Sequence, residues 1–93
     1  VIESALEEFA CDLAEKDGWI VRKLRWIGRR NGMDRFFLKE GRIVLCEFKR
    51  PGEAPIGGQL KEIEAFRAAG AEVYVVDNPL TILRQLGVVY ENA

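Results

Sequence analysis

The chain has no histidine among its 93 residues. That absence removes Ser-His and Cys-His nucleophilic pairs, a histidine general base and the usual zinc sites. Catalysis, if there is any, has to run on carboxylates, lysine and a metal ion. Cysteine is almost as scarce, with only Cys11 and Cys46 present. They show no metal-ligand spacing, and each falls where a small apolar residue would serve. Both therefore read as reduced core thiols, which fits a cytosolic setting. No apolar run approaches the roughly 18 residues of a membrane span. The opening residues mix apolar with acidic types, which is not the pattern of a signal peptide.

What is present is 48% hydrophobic and 31% charged sequence, the composition of a globular domain. The length suits one small domain over 1–93 with a modest core. No internal repeat, low-complexity segment or second domain is visible. The net charge of −1 argues weakly against a nucleic-acid partner, but the distribution argues the other way. Residues 1–18 carry Glu3, Glu7, Glu8, Asp12, Glu15 and Asp17 against Lys16. Residues 22–35 carry Arg22, Lys23, Arg25, Arg29, Arg30 and Arg35 against Asp34. A basic stripe of that kind is what a phosphate-tracking surface needs.

Hydrophobic periodicity predicts a helix over 2–17, with Ile2, Leu6, Phe9, Ala10, Leu13 and Ala14 recurring at helical spacing and Asp17-Gly18 ending it. A strand is expected over 19–27, rich in aromatic and β-branched residues, then a basic loop over 28–32. A hairpin follows from Asp34 to Lys49. The segment 51–58 reads as a loop from its prolines and glycines. A second helix is expected from Gln59 to Ala69, with Leu60, Ile63 and Phe66 facing inward and Gly70 closing it. A strand over 72–76 comes next. A helix opened by Asn78-Pro79 then runs to about Leu86, and Val88-Val89-Tyr90 forms a short edge strand or a docking tail. The order is α-β-β-β-α-β-α. Phe37 and Val44 are apolar on one side of the hairpin and Phe36 and Leu45 on the other. That predicts an α/β fold with a central mixed sheet flanked by helices on both faces.

The chemistry concentrates in the hairpin. If its turn is symmetric about Glu40 and Gly41, position 34 pairs with 47, 36 with 45 and 38 with 43. Asp34 and Glu47 would then lie directly opposite on one face, with Cβ atoms roughly 4.5–5.5 Å apart. Two carboxylates that close repel unless a cation sits between them. Lys49 shares their face because strand side chains repeat every second residue. Two carboxylates and a lysine on one strand face can hold Mg²⁺ and a water against a phosphodiester. A bulge in the hairpin would take position 34 out of register with 47.

In this arrangement the chain resembles the VRR-Nuc (virus-type replication-repair nuclease) branch of the PD-(D/E)XK nucleases, over Glu3 to about Asn78. The resemblance rests on Glu3 in the opening helix, Gly32-x-Asp34, Glu47-x-Lys49, Gln59 and the Ala71–Asp77 strand. The family usually carries proline before the aspartate, and here Met33 stands there. The resemblance implies a restriction-endonuclease-like fold and a Mg²⁺- or Mn²⁺-dependent endonuclease cutting DNA in repair, recombination or replication. Stand-alone phage and bacterial members imply a homodimer acting on branched DNA such as Holliday junctions, in the cytoplasm of a bacterial cell.

The residue roles that follow are Asp34 and Glu47 as metal ligands, with the Phe48 backbone carbonyl completing the protein's share. Lys49 would position the attacking water. Glu3 would reach the metal through water, or else be an ordinary acidic residue suited to the first turn of a helix. Gln59 would bond the water, the lysine or a phosphate. Arg22, Lys23, Arg25, Arg29, Arg30, Arg35 and Arg50 are candidate phosphate contacts. Trp19 and Trp26 are candidates for stacking on bases or for the dimer interface, and core positions are the plainer alternative. A module that binds branched DNA without cutting it is the competing functional reading.

Overall fold

The computed structural model describes residues 2–29 and 32–90, with side chains from residue 5 onward. Helix α1 spans Ile2–Lys16, α2 Gly57–Ala68 and α3 Thr81–Leu86. The strands are β1 (Ile20–Lys23), β2 (Arg35–Lys39), β3 (Arg42–Phe48) and β4 (Glu72–Val76), in the expected element order. They form one sheet in the order β1-β2-β3-β4. The first two pairings are antiparallel, and β3 pairs with β4 in parallel through α2.

All three helices end in the same way. A glycine with positive φ follows the last turn, at Gly18, Gly70 and Gly87. The amide of the next residue then bonds the carbonyl five positions back, Trp19 to Ala14, Ala71 to Phe66 and Val88 to Leu83. This left-handed stop satisfies the last carbonyls and turns the following side chain inward. Trp19 and Val88 are accordingly buried, at 5% and 8% exposure.

The hairpin turn is symmetric about Glu40 and Gly41, with Phe36 opposite Leu45 and Leu38 opposite Ile43. Both turn residues have positive φ, 51° at Glu40 and 79° at Gly41, the backbone that a two-residue hairpin loop requires. Alternation along β2 and β3 then feeds two cores. On one face Val21, Phe37, Val44, Cys46 and Val76 pack against Ala10, Cys11 and Ala14 of α1 and Ile82, Leu83 and Leu86 of α3. On the other, Met33, Ile63 and Val73 meet, with Trp26, Leu45, Phe66 and Val75 around them. Helices therefore cover both faces, α1 and α3 on one and α2 on the other.

Several boundaries differ from the sequence expectation. β1 stops at Lys23 instead of continuing to residue 27, because its partner begins at Arg35, opposite Lys23. One further bond, Leu24 N–H to the Asp34 carbonyl at 2.7 Å, closes the pairing. α2 begins at Gly57, so Gln59 is its third residue. This phase puts Gln59, Ile63 and Phe66 on the inward stripe (i, i+4, i+7), and Leu60 is 41% exposed instead of buried. Asn78 and Pro79 do not open α3 directly. They start tight turns, Thr81 N–H to Asn78 O and Ile82 N–H to Pro79 O, ahead of the helix. Residues 88–90 form no strand and dock as a tail, with Tyr90 edge-on to Phe9 at 6.3 Å.

Candidate active site

Glu47 is the buried charged residue of the described core, 5% exposed. It shares strand parity with Leu45 and so faces α2. There Gln59, one turn before Ile63 on the inward stripe, donates its amide to Glu47 Oε2 at 2.7 Å. Lys49 follows two residues later on the same face and brings Nζ to 3.3 Å from the same oxygen. Oε1 is fully buried and has no hydrogen-bond partner among the described residues. Burial pushes the Glu47 pKa up, and the nearby negative charge of Asp34 pushes it further. The Gln59 bond and Lys49 offset this only in part.

Asp34 does not lie directly opposite Glu47. Its amide donates to the Cys46 carbonyl at 2.9 Å, and Cys46 already pairs with Arg35. Two residues thus face one, the arrangement of a bulge, and the ladder ends at Arg35. The side chain nonetheless reaches across the end of β3, where Oδ2 accepts the Phe48 N–H at 2.9 Å. Its charge still reaches Glu47, whose pKa it raises, although not by the register expected.

A buried carboxylate oxygen with no donor, beside a second carboxylate, is a place where a cation would remove an electrostatic penalty. No group of three or more metal-ligating side chains occurs among the described residues. Two carboxylates with a backbone carbonyl are few ligands for Ca²⁺ or Zn²⁺. They suit Mg²⁺, which keeps several waters and takes one or two carboxylates. The donor set present therefore fits the ion expected from the sequence. The side chain of Glu3 lies outside the described residues, as does Arg30.

The expected cations separate into two groups. Lys23, Arg25 and Arg50 are exposed and form no ion pair among the described residues, as does Arg22, which folds back onto the Val21 carbonyl at 2.8 Å. Arg29 is bound to Glu62 of α2 at 2.8 Å. Arg35 departs furthest from expectation. It bonds Glu7 of α1 at 2.7 Å with only 15% of its side chain exposed, which leaves little of it to meet a phosphate. Trp19 takes the plainer of its expected places, buried in the larger core at 5% exposure and so removed from base stacking. Trp26 is half-buried over Gly32 and bonds the Met33 carbonyl. Sequence reasoning picked out Gly32 and Trp26 separately but not the contact between them. The signal was an aromatic residue and a glycine flanking one loop. Met33, in the position of the family's proline, is 1% exposed and packs under α2.

No protein-family model matches the chain. It is 36% identical over 77 residues to "Putative nuclease p44" of Acyrthosiphon pisum secondary endosymbiont phage 1, covering 82% of this chain and 83% of that protein. A solved structure described as a VRR_NUC domain superposes with a TM-score of 0.81 at 32% identity, over 95% of this chain and 97% of that one. The shared fold, the extent of the match and the identity to a phage protein named as a nuclease establish that this chain belongs to the VRR-Nuc family.

Proposed function

We propose that the chain is a metal-dependent endonuclease that hydrolyses phosphodiester bonds in DNA, with branched DNA such as a Holliday junction as its preferred substrate. The observation that carries this reading is Glu47, a buried carboxylate held on one oxygen by Gln59 and Lys49 and left without a partner on the other. The relative named as a nuclease and the family fold support it.

Asp34, Glu47 and the Phe48 carbonyl would hold Mg²⁺ or Mn²⁺. When bound, such an ion lowers the pKa of a water and offsets charge on the scissile phosphate. The remaining steps belong to the chain's own groups. Lys49 presents an ammonium at the rim of the site, 21% exposed. There it orients the attacking water and donates to the phosphate as negative charge develops. Gln59 fixes the Glu47 carboxylate through its 2.7 Å bond to Oε2 and leaves Oε1 without a partner, available to an ion that would bind there. Lys23, Arg25 and Arg50 supply sequence-independent contacts to the backbone. A chain of this size carries one such site, so symmetric cutting of two strands requires a two-fold dimer.

The test is cleavage of labelled four-way junction, flap, linear duplex and single-stranded DNA, with Mg²⁺, Mn²⁺ or chelator, by wild type and Lys49→Ala. Metal-dependent cutting that favours the junction and is lost in the variant is expected. No cutting of any substrate with either metal would defeat the catalytic reading, and tight junction binding in that case would favour the non-cutting module.

A further inference from the structure

Between β1 and β2 the described residues 24–29 and 32–33 lie outside the sheet, and Asp34 follows them. Trp26 is the side chain that pins the far end of this loop. Its indole Nε1 donates to the Met33 carbonyl at 2.8 Å. The ring lies so close on Gly32 that a Cβ there would stand 2.2 Å from the indole Cδ1 and Nε1 atoms. The ring also meets Phe66 of α2 edge-on, with centroids 5.6 Å apart and planes at 87°. Trp26 thus joins the residue before Asp34 to the helix that carries Gln59.

The Met33 carbonyl belongs to the same planar peptide as the Asp34 amide. That amide donates to the Cys46 carbonyl at 2.9 Å. The peptide is therefore gripped from both sides, by the sheet at its N–H and by Trp26 at its C=O. The next peptide is held by the Leu24 amide at 2.7 Å. Two of these three bonds are backbone to backbone, and one of them, from the Asp34 amide to Cys46, is the bulge bond itself. The Trp26 bond alone comes from a side chain, and it holds where the ladder has already broken down into a bulge. The geometry points to Trp26 as a positioning residue that fixes the Met33–Asp34 peptide, and with it the place of the Asp34 carboxylate beside Glu47. Gly32 serves the same end, since any larger residue would lift the indole off the loop. This assignment rests on the reading of Asp34 and Glu47 as a metal site.

The test follows thermal unfolding of the full chain in chelator and across a titration of Mg²⁺ or Mn²⁺, for wild type, Trp26→Phe, Gly32→Ala and Phe66→Leu. Trp26→Phe keeps a ring against Phe66 but loses the N–H. It should raise the half-saturating metal concentration about 10-fold, the scale at which groups that orient a metal ligand act, and move the melting temperature in chelator little. Gly32→Ala should show the same rise by displacing the ring, and it carries the test if Trp26→Phe does not fold. Phe66→Leu, which touches packing alone, should lower the melting temperature and leave the half-saturating concentration where it is in wild type. If Trp26→Phe and Gly32→Ala lower stability in chelator but bind metal like wild type, Trp26 is a packing residue and the assignment is overturned. A wild-type protein that gains no stability from either ion would instead remove the metal site itself and the assignment with it.

Discussion

Taking the charge off Glu47 should make the metal-free protein more stable. The ionised carboxylate is buried, one of its oxygens has no partner and Asp34 repels it. An unsatisfied buried polar group costs about 1–3 kcal/mol, and more when it is charged. Against this stand the bond from Gln59 and the ion pair with Lys49. In Glu47→Gln the amide oxygen still accepts from Gln59, so only the Lys49 attraction is lost. With the lysine side chain 21% exposed, water takes over much of that role, and such pairs are worth up to about 1 kcal/mol. A neutral amide in place of a repelled charge leaves a net gain on the order of 1 kcal/mol in chelator, equivalent to roughly 4–8 °C in Tm for a domain of this size. The dependence on pH fixes the sign independently. Because the Glu47 pKa is raised above 4.5, the folded protein binds more protons than the unfolded chain between 4.5 and the raised value. Wild-type stability therefore falls as pH rises through that window. The advantage of Glu47→Gln should appear across the same window and be absent below it. Thermal melts in chelator over a pH series read both effects. If Glu47→Gln melts below wild type at neutral pH, the carboxylate is a structural ion-pair partner and the reasoning that makes it a metal ligand fails.

Four further outcomes can be measured on the same material. Asp34→Asn retains an oxygen for the Phe48 N–H and relieves the repulsion on Glu47, so its melting temperature in chelator should equal or exceed wild type while the stabilisation by Mg²⁺ or Mn²⁺ disappears; retained metal stabilisation would exclude Asp34 as a ligand. Glu40 holds a φ of 51°, and left-handed backbone costs a non-glycine residue roughly 1–2 kcal/mol; Glu40→Asn should recover part of that in chemical denaturation, and no gain would mean that the turn relaxes in solution. Arg35→Ala leaves Glu7 uncompensated and should lose about 2 kcal/mol, below the 3–5 kcal/mol of a fully buried pair because the two side chains are 15% and 23% exposed; a double-mutant cycle with Glu7→Gln that shows no coupling would refute the pair. Lys23→Ala and Arg25→Ala should each lower the slope of log binding constant against log salt for duplex DNA by about 0.9, whereas Arg35→Ala should leave the slope unchanged; equal effects from all three would mean that Arg35 does reach phosphate.

The parts of the fold that could be read from sequence are those set by local pattern. The apolar alternation on either side of Glu40-Gly41 determines the hairpin and its register, because a slip of one residue would turn every side chain to the wrong face. The same parity places Glu47 and Lys49 together. The parts that could not be read depend on contacts distant in sequence or on helix phase. Arg35 looked like one more cation in a basic stripe, yet it pairs with Glu7, twenty-eight positions away. Leu60 was the expected inward residue because leucine is apolar and glutamine is not. The start of α2 at Gly57 and the burial of Ile63 instead turn Gln59 inward, where a buried carboxylate waits for a donor. The bulge at Asp34 is the third case. In a regular strand the Asp34 amide would point toward β1, as its carbonyl does, and nothing in the local sequence marks its turn to the Cys46 carbonyl. At the same place Met33 is buried in the core under α2 and its carbonyl accepts from Trp26, both contacts set by residues outside the hairpin.

The division of the protein into two unequal cores bears on where the site lies. Among the described residues, the face covered by α1 and α3 buries thirteen in its cluster and the face under α2 buries three. Burial of apolar surface is the main source of stability, so the larger core can tolerate an unfavourable group on the opposite side of the sheet. Glu47 stands on that opposite side while its neighbours Cys46 and Val44 stand in the larger core. Strand β3 is thus anchored by one face and free to carry a strained carboxylate on the other. On that side Ile20 and Ile43, at the hairpin end of the sheet, remain 46% and 51% exposed. A site placed on the α1–α3 face would have been shielded from any large substrate by two helices. The sheet therefore separates the two requirements, with most of the buried apolar residues on one face and an electrostatically unsatisfied carboxylate on the other.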